Sequence, residues 1–190
     1  ALSGESAIER KSASPMVVNV EGPERASALA KDAIARADYV FLGPGSFVGS
    51  TLAALTTGDL AESIAKTRGR RVLVKNLERE GSSAYGLDDH ERVLVDHLVI
   101  KSGGESVVVD VLAHTQRGHR VDRREDASTH FAASLAKAGE HTHDPELVAD
   151  ALATHFGFGP IDRRASAPPD PEVQAFLEEA LERARRRLGG

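Results

Sequence analysis

The chain has no cysteine and no tryptophan, a single methionine, and aromatic residues at only 4% of 190 positions. Without cysteine, disulfides and thiolate chemistry are excluded, and a reducing, cytoplasmic setting is expected. The scarcity of aromatics leaves no stacking platform for single-stranded nucleic acid. A net charge of -5, with no long basic stripe before the extreme C-terminus, argues against a nucleic-acid partner. No apolar run approaches the roughly 20 residues that span a bilayer, so no membrane span is expected. The first residues are small and polar rather than basic and then apolar, unlike a signal peptide. The chain opens on Ala1 and soon enters a strand-like run, so it reads as part of a longer protein.

What is present is a core of Val, Leu, Ile and Ala, which suits a parallel sheet covered by helices. Met16–Val20 reads as a strand, and Pro23 as the first position of a helix reaching about residue 37. Residues 39–42 are wholly apolar, the mark of a strand buried on both faces. A loop from Gly43 to Ser50 leads into a helical stretch from Thr51. Asp59 is positioned to cap a helix over residues 60–67. A strand follows at Arg71–Leu77, then a polar loop over 78–86 and a helix that Asp88 is placed to cap. After the Gly103-Gly104 turn, Val107–Leu112 is expected as a strand. Residues 113–126 read as an exposed loop with a short strand near Val121, and 127–138 as helical. Asp144 and Pro145 open a last helix as cap and first residue.

Strands alternating with helices point to an α/β fold, a Rossmann-like, mostly parallel sheet with helices on both faces. One domain is expected over 1–159, then a Pro/Ala/Ser-rich linker over 160–171. An amphipathic helix over 172–190 is suited to packing or to forming a homo-oligomer.

The candidate site is the loop after strand 39–42. Gly43 and Gly45 allow a close backbone approach, Pro44 stiffens the turn, and Ser46 and Ser50 offer hydroxyls. The free N–H groups of the following helix suit an anion, and ligands in open α/β sheets bind beyond the carboxyl ends of strands. The same residues also suit a tight strand–helix turn that holds no ligand. Asn76 ends the next strand on the same rim, as ligand contact or loop cap. Tyr85 and Asp89 lie in the segment that reaches that rim, Asp89 with a helix-start reading beside the functional one. His90 with His97, and His141 with His143, lack a third ligand at a familiar zinc spacing, so no metal is assigned. Asp110 interrupts an apolar strand and faces a cleft or an edge.

Leu42-Gly43-Pro44-Gly45-Ser46-Phe47 with Ser50, followed by Leu60-Ala61-Glu62-Ser63-Ile64, resembles a segment of the YvcK-like gluconeogenesis factors, relatives of CofD, the 2-phospho-L-lactate transferase. Gly4-Glu5-Ser6, Asn76-Leu77, Tyr85 with Asp89-His90, and His143-Asp144-Pro145 match further landmarks in the same order, over about residues 4–156. The resemblance implies a Rossmann-like fold that binds a nucleotide or nucleotide-sugar, notably UDP-N-acetylglucosamine. It also implies a regulatory role linked to central carbon metabolism, cell shape and wall synthesis. The alternatives it leaves are a CofD-like transferase of a phosphate-containing group, for which Mg2+ would be needed, and a non-catalytic interaction domain. Val48-Gly49 and Ala53-Ala54-Leu55-Thr56 depart from the family's spelling, and Thr142 stands where an Arg often precedes His-Asp-Pro. The family's Gly-rich first loop and Asp-Asp-Gly-Gly segment are not in this chain.

Overall fold

The computed structural model describes residues 25–78, 86–87, 89–123, 128–158 and 175. The strand expected at Met16–Val20, the linker and the C-terminal helix fall outside them. Its elements in chain order are α1 (Ala28–Arg36), β1 (Tyr39–Leu42), a π-helical turn (Phe47–Leu52) running into α2 (Ala53–Leu55), α3 (Leu60–Lys66), β2 (Arg70–Val74), α4 (Asp89–Ser102), β3 (Asp110–His114), β4 (Arg120–Arg123), β5 (Thr129–Ala133) and α5 (Pro145–Phe156). No helix among the described residues is long and apolar enough to cross a membrane.

The strands form one sheet in the order β1-β2-β3-β5-β4. β1, β2, β3 and β5 run parallel, and β4 lies antiparallel to β5 at the edge. Alternation along each strand sends side chains to two separate cores. Val40, Leu42 and Leu73 join the packing of Phe47, Leu52, Leu55, Ile64, Leu94 and Leu98, from the π-helical turn and helices α2, α3 and α4. Tyr39, Phe41, Val72, Val74, Leu112 and Phe131 face Ala151 and Phe156 of α5. Helices therefore cover both faces, as expected. Leu94 and Leu98 are fully buried, each contributing roughly 2 kcal/mol through the apolar surface it removes from water.

Two expected elements are corrected. Of the helix expected over 127–138, residues 128–138 are not helical; Thr129–Ala133 is a strand inserted between β3 and β4. Phe131 and Ala133 are buried on one face, and the segment's backbone is satisfied by pairing with two neighbours, which outweighs the weak helical tendency of a short Ala-containing run. The strand expected at Val107–Leu112 starts later, at Asp110, and extends to His114. Its ladder with β2 begins at Val72↔Asp110, while Val107 and Val109 are buried in the core ahead of the ladder.

Asp110 explains where the ladder starts. Its carboxylate accepts from Arg70 at 2.7 and 3.0 Å and from the Thr129 amide at 2.7 Å, joining β2, β3 and β5 at their N-terminal ends. It faces this staple and not a ligand cleft. The Arg70 guanidinium lies 5.8 Å from the Tyr39 ring and 5.7 Å from that of Phe131. Asp59 departs from its expected role too. It makes no side-chain cap bond to α3, and instead accepts from the Ala26 amide and Lys31, tying α1 to α3.

Candidate functional site

Four parallel strands end at the same rim, at Leu42, Val74, His114 and Ala133. Ligands of open parallel sheets collect at such a rim. Gly43, Pro44 and Gly45 leave β1 there exposed, with Ser46 half-buried. Gly43 has φ 81, and a Cβ at that position would stand 2.7 Å from the Val74 carbonyl oxygen. Only glycine lets the loop pass this close to β2. The Gly43–Pro44 peptide is cis.

Asn76, two residues past β2, grips the loop from both sides. Its Oδ1 accepts from the Gly45 amide at 3.1 Å and its Nδ2 donates to the Gly45 carbonyl at 2.8 Å. One primary amide thus satisfies both polar groups of a single backbone residue and sets the loop's position on the sheet. The helical stretch expected from Thr51 starts earlier, at Phe47, as a π-helical turn. Ser46 caps it: its Oγ accepts from Gly49 at 3.0 Å, and its carbonyl accepts from both Ser50 and Thr51. Turns of this kind recur at functional sites, and nothing in the residue pattern announces one. Ser50 is exposed beside Gly45, whose added Cβ would meet Ser50 Cβ at 3.7 Å.

The structure thus brings Gly43, Pro44, Gly45, Ser46, Ser50 and Asn76 together. Asp89 has a different surrounding. Its carboxylate accepts from the Gly86 amide at 3.0 Å while its own N–H bonds the Gly86 carbonyl, a reciprocal pairing that starts α4. The Gly86 amide, and then Arg92, hold its carboxyl below the usual range. Tyr85 and the expected cap Asp88 lie outside the described residues.

Three groups at the rim were not assigned from sequence. His90 is 2% exposed and stacks face to face on Phe47, ring centroids 4.0 Å apart. Burial, then the neighbouring Lys75, pushes its imidazole down to about 4, so the ring is neutral at physiological pH. His143, just before α5, is also held low, chiefly by burial, although a hydrogen bond to the Lys75 backbone works the other way. The Nε2 atoms of His90 and His143 are buried without a hydrogen-bond partner. Lys75 itself is half-buried at the end of β2. The signal that could have found these residues was their place one position past a strand or beside a helix start, combined with histidine's readiness to change charge.

Among the described residues, Asp144 and Glu78 near the rim are engaged with other groups. Asp144 caps α5 through the Glu146 and Leu147 amides and pairs with Lys137, and Glu78 pairs with His141. Among the described residues no group of three or more His, Asp or Glu is arranged to hold a metal ion. Among the described residues the rim thus presents the exposed Gly43–Gly45 backbone, the Ser46 and Ser50 side chains and the Asn76 amide.

The profile of the family described as 2-phospho-L-lactate transferase CofD matches residues 1–152. A putative gluconeogenesis factor of Mycobacterium tuberculosis is 34% identical over 156 residues, covering 76% of this chain and 43% of that protein. The gluconeogenesis factor of Halalkalibacterium halodurans is 31% identical over 85 residues, 44% of this chain and 25% of the relative. The chain thus spans less than half the length of these curated relatives. A crystal structure of a Bacillus halodurans protein superposes with a TM-score of 0.60 at 21% identity, covering 78% of this chain and 54% of that one. A second, of a UPF0052-family member from the same organism, gives 0.53 at 20% identity, covering 67% and 46%. At such identities the structures speak for the fold, while the profile and the curated relatives speak for descent, and the chain belongs to the CofD family, among its gluconeogenesis-factor-like members.

Proposed function

We propose that this chain carries one wall of a nucleotide-sugar site in a regulatory protein of the gluconeogenesis-factor type. The ligand is a UDP-sugar, and the protein links central carbon metabolism to cell shape and wall synthesis. The observation that carries this reading is the Gly43–Ser46 loop, open to solvent at the strand ends and clamped through Gly45 by both ends of the Asn76 amide. A loop held that firmly is pre-organised, so a ligand does not lose affinity to ordering it.

Calorimetry with UDP and UDP-N-acetylglucosamine on the full-length protein tests it. Asn76→Ala frees the loop and is expected to weaken binding by about tenfold or more. Ser46→Ala removes the cap of the π-helical turn and is expected to act in the same direction. Equal affinity in wild type and both variants removes the loop from the site.

A transferase reading draws on the description of the CofD family profile. The described rim speaks for binding instead, because Asp89 and Asp144 are both spent on helix starts. Release of a phosphate-containing product from a nucleotide-activated substrate, dependent on Mg2+, would establish transfer.

A further inference from the structure

The edge strand β4 lies at the opposite side of the sheet from β1 and its glycine loop. Three polar side chains meet beside it that the nucleotide reading does not use. His119, just before β4, places its Nδ1 3.1 Å from His155 Nε2 and its own Nε2 3.1 Å from Asp150 Oδ2. Asp150 and His155 both stand on α5, so the contact joins the segment before β4 to a helix more than thirty residues further along the chain.

The placement of protons decides what this contact can do. A neutral imidazole carries one N–H and one lone pair, and an ionised carboxylate only accepts. The His119 proton therefore belongs on Nε2, toward Asp150. The His155 ring has its own acceptor in the Ala132 backbone. His119 Nδ1 and His155 Nε2 are then both lone-pair atoms, facing one another across 3.1 Å. Metal-bound histidines share this arrangement: the outer N–H is given to a carboxylate or a backbone carbonyl, and the inner nitrogen is free to ligate. Zn–N bonds of about 2.0–2.1 Å at a tetrahedral angle put two nitrogens about 3.3 Å apart, close to the separation here. The ring planes are inclined at 56° with centroids 5.0 Å apart, so the rings meet through their nitrogens and not face to face. Phe131, 5.1 Å from His155 between ring centroids, braces that ring.

We infer that His119 and His155 form a two-histidine site for a divalent transition-metal ion of the zinc class, with Asp150 as the positioning residue behind His119. Asp150 bonds the ring and not the ion, which agrees with the lack of a three-donor cluster among the described residues. The His119 side chain is 37% exposed, so an ion reaches the pair from solvent and keeps water in its remaining positions. Imidazole donors select Zn2+, Cu2+ or Ni2+ over Mg2+ and Ca2+. A bound ion ties the segment before β4 to α5 and so secures an edge strand that pairs with β5 alone. The inference is independent of the nucleotide reading.

The test titrates the full-length protein with Zn2+ by calorimetry and with Cu2+ by electron paramagnetic resonance, which counts coordinating nitrogens. The wild type is expected to bind an ion that His119→Ala and His155→Ala each lose, with two nitrogen donors in the wild type and fewer in either variant. Asp150→Ala is expected to weaken Zn2+ about tenfold, and Asp150→Asn, which keeps an acceptor for the ring, by less. His141→Gln, at a surface histidine paired with Glu78, is expected to change nothing. Zn2+ is expected to raise the melting temperature of the wild type and not that of the two histidine variants. The same melting curves identify a variant that fails to fold; His119 is exposed, so His119→Ala then decides. Unchanged Zn2+ affinity in either histidine variant overturns the proposal. So does a wild type that binds no Zn2+, which would mean that the two rings share only a proton.

Discussion

His90 shows how one buried side chain reports on its surroundings. Desolvation lowers its folded midpoint to about 4, against 6.5 for the free ring. Between those values the unfolded chain binds a proton that the folded chain refuses, so stability is complete above 6.5 and falls as pH drops toward 4. The loss from this ring amounts to about 2 kcal/mol between about pH 7 and about pH 5. His97, His143 and His155 are also shifted downward, chiefly by burial, and add to the same slope. Urea unfolding at the two pH values checks it: His90→Phe keeps the stack on Phe47 and is expected to flatten part of the slope. An unchanged slope would mean that the ring takes up its proton equally in the folded and unfolded chain.

The helices differ in how their ends are satisfied, and this decides which are robust. α5 has a complete set of signals: Asp144 as cap with bonds at 2.9 and 3.2 Å, Pro145 first, and Gly157 in the left-handed conformation at its end. α3 ends differently. The Arg71 side chain, reaching from β2, donates to the carbonyls of Ile64, Ala65 and Thr67 and so satisfies the last turn. Asp144 also pairs with Lys137, so its carboxylate ties the segment before α5 to the helix start. Asp144→Ala is expected to lower the melting temperature by about 5 °C, and Asp144→Asn, which keeps an acceptor, by much less. Equal losses in both would show that the charge pairing with Lys137, rather than the cap, dominates.

For the molecule as a whole, the sheet has two ends with different work. The C-terminal end carries the loop, Asn76 and Lys75. The N-terminal end is closed by Asp110, which is 6% exposed and holds Arg70 and the Thr129 amide together. Asp110→Ala leaves an unpaired amide at the start of β5, while the Arg70 guanidinium stays solvated, and is expected to destabilise by about 1–2 kcal/mol in urea unfolding. Replacing Arg70 and Asp110 together by Leu is expected to cost about as much, since the Thr129 amide is again unpaired and the exposed guanidinium adds little by itself. Ligand affinity at the opposite end should survive the double replacement. A collapse of binding would show that the two ends of the sheet are coupled.

Local pattern determined much of this architecture. The apolar run at Tyr39–Leu42, the Gly-Pro-Gly-Ser loop behind it, the β-branched centre of β2, and the Asp-Pro start of α5 are short-range signals, and each survived into the fold. So did the alternation that implied a parallel sheet with helices on both faces. Other features were decided only by tertiary structure. Thr129–Ala133 became a strand because two neighbouring strands were there to pair with it. Asp110 became a staple because Arg70 and Thr129, 40 and 19 residues away in the chain, arrive beside it. The Gly43–Ser46 loop was legible as a turn suited to an anion, yet the clamp on Gly45 depends on Asn76 lying 31 residues further on. Hydrogen bonding, burial and charge act through space, and spacing along the chain carries little information about which distant groups will meet.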